Sequence, residues 1–129
     1  MGNSNIIIKV KTTGILNTPA IESYAREKVG SLEKFLPHYT HESGELVFEV
    51  EVGKTTEHHK RGDVFRAEIN FTAGRIHFRS EAEKDDLYAA IDEAKDEMQR
   101  ELRRNKNKHI QIARHGGAKL KELLKRWYR

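Results

Sequence analysis

The chain of 129 residues contains no cysteine. This absence excludes disulfides, thiol catalysis, iron–sulfur clusters and zinc sites built on cysteine, and it suits a reducing compartment. Long apolar runs are missing too, since nothing approaches the roughly 20 residues that span a bilayer, and the first residues lack the basic and apolar regions of a secretory signal. The sequence therefore predicts a cytoplasmic protein, and its length predicts a single domain.

The motifs of common enzymes are also absent. The sequence has no Walker loop and no GxGxxG, GxSxG or HExxH pattern. Of the seven histidines, His58 and His59 are adjacent, so in an extended loop their side chains would point apart and would not share a metal. Glu49 and Glu51 lie on the outer face of a predicted strand, where nothing would separate their pKa values for acid–base chemistry. We expect no enzymatic activity, no small-molecule substrate, no cofactor and no metal site.

Charge is plentiful but unevenly distributed. The chain has 24 Lys and Arg against 20 Asp and Glu, a net charge of +4. Residues 103–129 hold ten basic side chains and one acid, Glu122, so residues 1–102 are net negative. A mildly acidic domain with a basic C-terminal arm favours a polyanionic partner, either nucleic acid or an anionic membrane. The simpler interpretation is a tail that keeps the protein soluble.

Four segments alternate between apolar and polar residues and predict strands over 5–11, 45–52, 64–72 and 75–81. The pair Ala73-Gly74 supplies a tight turn, so we expect the last two strands to form an antiparallel hairpin. Each strand has one apolar face, which predicts a sheet buried on one side only.

Two further segments predict helices. The first begins at Thr18, which can cap it, and ends at Pro37. The second opens at Asp85-Asp86 and has an apolar stripe through Leu102, with acids toward its start and bases toward its end. The order β-α-β-β-β-α predicts an α+β two-layer sandwich, in which a four-stranded sheet carries two helices on one face. This is a double-stranded RNA-binding-domain-like topology, with the first strand parallel to the second if they are neighbours.

Two stretches resemble the helices of a known family. Residues 17–24 (NTPAIESY) and residues 86–92 (DLYAAID) resemble the first and second helices of the ribosome hibernation promoting factor family, also called ribosome-associated inhibitors or sigma-54 modulation proteins. The resemblance covers about residues 5–108. Further matching positions are Lys28, Leu32, Glu33, Lys34, Arg66, Ala67, Glu68, Arg100, Leu102 and Arg104. The chain departs from the family at Glu97, where a lysine is common, and at Lys95, where an apolar residue is common.

The resemblance implies a function. Members of the family bind the small ribosomal subunit at the subunit interface and occupy the messenger RNA and transfer RNA sites near the decoding centre. They hold ribosomes inactive under stress, without catalysis or a cofactor. Long members carry an additional C-terminal domain that dimerises ribosomes, and we expect this chain to be a short form without it.

Ribosomal RNA is a dense, largely A-form polyanion, which proteins recognise through phosphates and shape more than through base edges. Arg100, Arg103 and Arg104 share one helix surface by their spacing, although they also suit a helix end that compensates the dipole. We interpret Tyr24 and Tyr88 as aromatics at the edge of the core. The predicted contacts to ribosomal RNA in the domain are Lys28, Lys34, Arg66, Arg100, Arg103, Arg104, Lys106 and Lys108.

The remaining residues, 109–129, form a basic tail after the predicted 1–108 domain. The pair Gly116-Gly117 would interrupt a helix, and residues 118–129 favour a short basic amphipathic helix. We predict a second RNA-binding segment, and the rival is a helix on a membrane surface. The predicted RNA contacts of the tail are Arg114, Lys119, Lys121, Lys125 and Arg126.

Two other functions compete with ribosome hibernation. A general double-stranded RNA-binding module or RNA chaperone would be displaced from ribosomes by duplex RNA of arbitrary sequence. A regulatory domain acting on transcription would bind polymerase subunits and not ribosomes. For the leading hypothesis the expected partners are the small ribosomal subunit and its RNA, with no membrane involved.

Overall fold

A computed structural model of the protein describes residues 6–39, 45–55 and 62–114. The strands are β1 (Ile6–Thr13), β2 (Leu46–Lys54), β3 (Phe65–Ala73) and β4 (Ile76–Lys84). The helices are α1 (Pro19–Gly30), a 3-10 helix (Ser31–Tyr39) and α2 (Leu87–Arg114). No helix within the described ranges is long and apolar enough to cross a membrane.

The sheet has the order β1-β2-β3-β4, with β1 parallel to β2 and the other neighbours antiparallel. The predicted α+β sandwich, with its parallel first pair and its final hairpin, is confirmed. The hairpin closes from Ala73 to Ile76 across Gly74 at φ 61°, a left-handed conformation that glycine adopts without strain. Gly53 lets β1 approach β2, because a Cβ there would lie 2.4 Å from the carbonyl oxygen of Thr13.

The first predicted helix was wrong in its second half. Thr18 caps α1 by accepting from the backbone N–H of Ile21, as expected, but the α-helix ends at Gly30 and continues as the 3-10 helix. The Ser31 hydroxyl donates to the Lys28 carbonyl at 2.6 Å, which helps to end the α-helix where glycine and serine form helix weakly. Pro37 lies inside the 3-10 helix and does not terminate it.

The core lies between the sheet and the helices. The inner face of the sheet, the apolar stripe of α1, the 3-10 helix and the stripe of α2 bury one continuous cluster that includes Phe48, Ile69, Phe71, Ile91 and Met98. The side chains of Lys9, Glu49, Glu68 and Arg79 belong to the alternate positions of the strands and occupy the other face, which none of the described helices covers.

Candidate nucleic-acid interface

The short connection between β4 and α2 fixes where the end of α2 lies. Only Asp85 and Asp86 separate the two elements, and the Asp86 carboxylate caps α2 by accepting from the N–H of Ala89 at 2.9 Å. Because so short a link reverses the chain, α2 runs back along β4, and the buried Ser80 hydroxyl donates to the Ala94 carbonyl at 2.8 Å. The second half of α2 therefore lies at the end of the molecule where the β3–β4 turn is found.

Tyr39 gives independent support for this alignment. Its hydroxyl donates to the Leu102 carbonyl at 2.8 Å, and its ring lies 5.7 Å from that of Phe71 and 6.0 Å from that of Phe78. Burial raises the pKa of the Tyr39 hydroxyl above its usual range. The 3-10 helix, the β3–β4 hairpin and the second half of α2 thus meet at one end of the sandwich. We call it the basic end, because Arg75, Arg100 and Arg103 are exposed there.

Two arginines of α2 are exposed at the basic end without acidic partners. The side chains of Arg100 and Arg103 make no ion pair or hydrogen bond with any residue of the described ranges. Arg104 is 63% exposed in its side chain but is paired with Glu101 one turn earlier. The predicted trio is thus brought together on the solvent side of α2, and two of its members keep their full charge available to a ligand.

The two lysines predicted on the first helical segment differ from each other. Lys34 lies on the 3-10 helix, is exposed, and stands 5.5 Å from the centre of the Phe35 ring. Lys28 is held between α1 and α2, with Nζ 3.4 Å from the Asp92 carboxylate and 5.6 Å from the centre of the Tyr24 ring. Asp92 therefore compensates much of the charge of Lys28.

Asp92 also organises the tyrosines predicted at the edge of the core. The Tyr24 hydroxyl donates to Asp92 at 2.7 Å, and this bond is the main reason that the pKa of Tyr24 rises to about 12. The Tyr24 and Tyr88 rings meet edge to face at 4.8 Å between centroids, and both residues are half-buried. This geometry ties α1 to α2 and leaves the faces of the two rings poorly placed for stacking on bases.

Arg66 lies on the other face of the molecule. It projects from β3 to the open side of the sheet, where it pairs with Glu81 and, at 3.3 Å, with Glu68. Arg79 on β4 joins the same network through Glu68 at 2.9 Å. The outward direction predicted for Arg66 is confirmed, but the sheet separates it from the cations of α2, so the predicted contacts do not form one surface.

The structure shows the surroundings of Lys95 and Glu97, the two residues that depart from the family pattern. The Lys95 side chain is only 18% exposed, and its Nζ lies 3.6 Å from the Asp96 carboxylate. Glu97 is half-buried and has no ion pair within the described part of the chain. Lys95 therefore does not extend the exposed stripe formed by Arg100 and Arg103.

Part of the prediction falls beyond what the structure describes. The backbone of α2 continues through Lys106 and Lys108 to Arg114, past the predicted boundary after residue 108. The structure describes the backbone of residues 106–114 but not their side chains. The tail positions Lys119, Lys121, Lys125 and Arg126 also lie outside the described residues. The division at 108 and the role of the tail stay predictions.

Sequence reasoning missed Arg75. This residue occupies the β3–β4 turn, is exposed, and has no ion pair with any described residue. Its isolation in a short turn gave no periodic signal. The two-residue link between β4 and α2 could have placed the turn at the basic end, because it requires α2 to run back toward that turn.

Solved structures share this fold. The N-terminal domain of Protein Y from Thermus thermophilus is 29% identical, with a TM-score of 0.58 over 74% of this chain and 93% of that domain. A ribosomal subunit interface protein from Coxiella burnetii superposes with a TM-score of 0.60 over 78% of this chain and 98% of that one, and at 17% identity it supports the fold alone. The molecule is thus a two-layer α+β domain of the kind found in these proteins.

Residues 8–110 match the family model described as Sigma 54 modulation protein / S30EA ribosomal protein, and the chain belongs to that family. A curated relative, the ribosome hibernation promotion factor of Bacillus subtilis (strain 168), is 29% identical over 91 residues. The match covers 70% of this chain and 43% of the relative, so this chain spans less than half the length of that protein.

Proposed function

We propose that this protein is a ribosome hibernation factor that acts in the cytoplasm. It binds the small ribosomal subunit near the decoding centre and inhibits translation under stress by excluding messenger RNA and transfer RNA. The observation that carries the proposal is the pair Arg100 and Arg103, exposed and unpaired within the described residues, on a member of a family whose Bacillus relative is named for ribosome hibernation.

The mechanism is occupation of a site and needs no chemical step. Arginine guanidinium groups suit phosphate, because their planar donors can contact two oxygens at once. Arg100 and Arg103 are one turn apart on α2, so they can follow one stretch of A-form backbone. A domain anchored in this way blocks by its bulk whatever would otherwise occupy the same channel.

Salt dependence gives the first test. If six to ten phosphate contacts form, affinity for small subunits should fall by about three to five decades between 50 and 200 mM salt. The measurement is sedimentation of purified small and large subunits with the full chain over that range. A response independent of salt, or equal binding to the two subunits, would contradict the proposal.

Competition gives the second test. Prebound protein should prevent small subunits from retaining messenger RNA and transfer RNA in a filter-binding assay, and it should inhibit cell-free translation. Duplex RNA of arbitrary sequence is the control competitor, since the proposal expects it to displace the protein poorly. Ready displacement by duplex RNA would support a general RNA-binding module instead. If messenger RNA and transfer RNA both bind undisturbed, the proposed mechanism is contradicted.

A further inference from the structure

The shape of the basic end adds a second element to the surface around α2. A helix advances about 1.5 Å per residue and a strand about 3.3 Å. Leu102 is therefore roughly level with His77, which lies two residues from the tip of the β3–β4 turn. The twelve residues of α2 after Leu102 extend a further ~18 Å, so the helix projects beyond the turn by about 10 Å.

The projecting helix and the turn form a re-entrant corner. Arg75 stands at the turn, and Arg103 lies near the base of the projection on the solvent side of α2; neither side chain has an ion pair with a described residue. The sequence of α2 contains no Asp or Glu after Glu101, and the turn itself is Gly74-Arg75, with Glu45 next to it just before the start of the neighbouring strand. A turn and a helix end that both carry cations attract a polyanion more strongly than either element alone.

We infer that this corner between the β3–β4 turn and the end of α2 holds a stretch of RNA backbone, with Arg75 as a phosphate contact. Nucleic acid fits the corner because its phosphates recur along the chain and can meet both walls, and a single small anion would meet one. The inference rests on the proposed function, because the RNA it names is that of the small ribosomal subunit.

Arg79, on the open face of the sheet, can be compared with Arg75 because the two residues belong to the same hairpin. Arg79 is four residues from Arg75 and 51% exposed in its side chain, but it is paired with Glu68 at 2.9 Å and lies 3.6 Å from Glu81. Its charge is already compensated by the protein. Arg75 and Arg79 therefore form a matched pair of exposed β4-hairpin arginines that differ in the availability of their charge.

The first experiment compares Arg75→Ala with Arg79→Ala in the full chain. Arg75→Ala should weaken binding to small subunits by roughly tenfold, the loss of one charged hydrogen bond. It should also reduce the slope of log affinity against log salt by about 0.9, as expected for one phosphate contact. Arg79→Ala should leave the slope unchanged. Equal slopes for Arg75→Ala and the parent protein would overturn the inference.

The second experiment uses the absence of cysteine, which makes any introduced thiol unique. An iron chelate that cleaves RNA through hydroxyl radicals is attached to Thr72→Cys, which is exposed beside the turn, or to Glu83→Cys, which is exposed roughly 20 Å away along β4. Both variants keep Arg75. Thr72→Cys should cleave RNA of the small subunit strongly and Glu83→Cys weakly, whereas equal cleavage by the two would contradict the corner.

The two possible failures can be told apart. If the parent protein does not bind small subunits, the proposed function fails before the variants are compared. If the parent binds and Arg75→Ala binds equally well with the same salt slope, only the corner fails. Tight binding of an acidic polypeptide such as polyglutamate in place of RNA would also count against an RNA corner.

Discussion

The basic end and the open face of the sheet both carry arginines, but they use them differently. On the open face, Arg66 and Arg79 are held by Glu68 and Glu81, through one pair within β3 and two pairs between β3 and β4. At the basic end, Arg100 and Arg103 face solvent without an acidic partner in the described part of the chain. Both regions contain arginines, so their number does not distinguish the two regions. The difference is whether each guanidinium group is already paired with a carboxylate of the same protein.

This contrast has a thermodynamic consequence for binding. A paired arginine must give up its carboxylate before it contacts a phosphate, so the gain is the difference between two similar interactions. An unpaired arginine exchanges only water and counterions, and the release of counterions is what drives binding to nucleic acid. We therefore expect the basic end to dominate affinity and the open face to contribute mainly to the stability of the sheet.

The largest expected effect comes from removing the packing that assembles the basic end. Tyr39→Ala deletes a fully buried ring that contacts Phe71 and Phe78, and it should lower the free energy of unfolding by about 3–5 kcal/mol. Tyr39→Phe keeps the ring and removes the hydroxyl that donates to the Leu102 carbonyl, which should cost about 1 kcal/mol. Urea denaturation measures both values, and equal losses would show that the hydrogen bond, and not the ring, holds this end together.

The next effect tests the comparison itself. The double variant Arg100→Ala/Arg103→Ala should weaken binding to small subunits by about 100-fold, because two charged contacts are lost. The salt slope should fall by about 1.8. Arg66→Ala/Arg79→Ala removes the same formal charge from the open face and should leave that slope unchanged. If the two double variants show the same affinity and the same salt slope in the sedimentation assay, pairing with a carboxylate does not determine which arginines bind RNA in this protein.

A smaller effect is expected from a variant that frees Lys28 from its acidic partner. Asp92→Asn removes the carboxylate that lies 3.4 Å from Lys28, so Lys28 becomes available and the salt slope should increase by up to about 0.9. The same variant should lower the pKa of Tyr24 from about 12 toward its ordinary value of 10, because the hydrogen bond to the Asp92 side chain is the main cause of the shift. Ultraviolet titration of tyrosine follows the pKa. An unchanged pKa would show that Asp92 does not hold Tyr24 in solution.

Most of the fold could be predicted from the sequence because each signal was local. Alternation along the strands and the Gly74 turn identified the sheet, and the Thr18 cap and apolar stripes identified the helices. The 3-10 helix was not predicted because the four-residue spacing of Leu32 and Leu36 is typical of an α-helix, whereas residues three apart share a face in a 3-10 helix. Its geometry depends on bringing Tyr39 into the core, which is a tertiary effect.

The candidate site was less predictable for a related reason. The basic character of the end of α2 is visible in the sequence, and Arg104 with Glu101 is a local pair. The compensation of Lys28 by Asp92 joins residues 64 positions apart, and that of Arg66 by Glu81 needs the strand register. Charge availability is therefore a property of the fold, whereas charge itself is a property of the sequence.

The smallest expected effect concerns the open face alone. Glu68 is 16% exposed in its side chain, and its pKa lies below the ordinary value of 4.5. The amide of Asn70 is the largest cause and burial opposes it, while Arg79 and Arg66 lower the pKa further. Because the carboxylate ionises more easily in the folded protein, it stabilises the fold above about pH 4.5, and this contribution is lost as the pH falls through the lowered value.

Glu68→Gln removes this titration while keeping the size of the side chain. The variant should therefore lose less stability than the parent protein between pH 5 and pH 3, by up to about 1 kcal/mol, since a partly exposed ion pair contributes little. Urea denaturation at the two pH values measures the difference, with Glu49→Gln as control because Glu49 is exposed on the same face and has no ion pair in the described chain. Equal pH dependence in all three proteins would mean that the carboxylates of the open face do not hold their arginines, and Arg66 and Arg79 would then be as free to bind phosphate as Arg100 and Arg103.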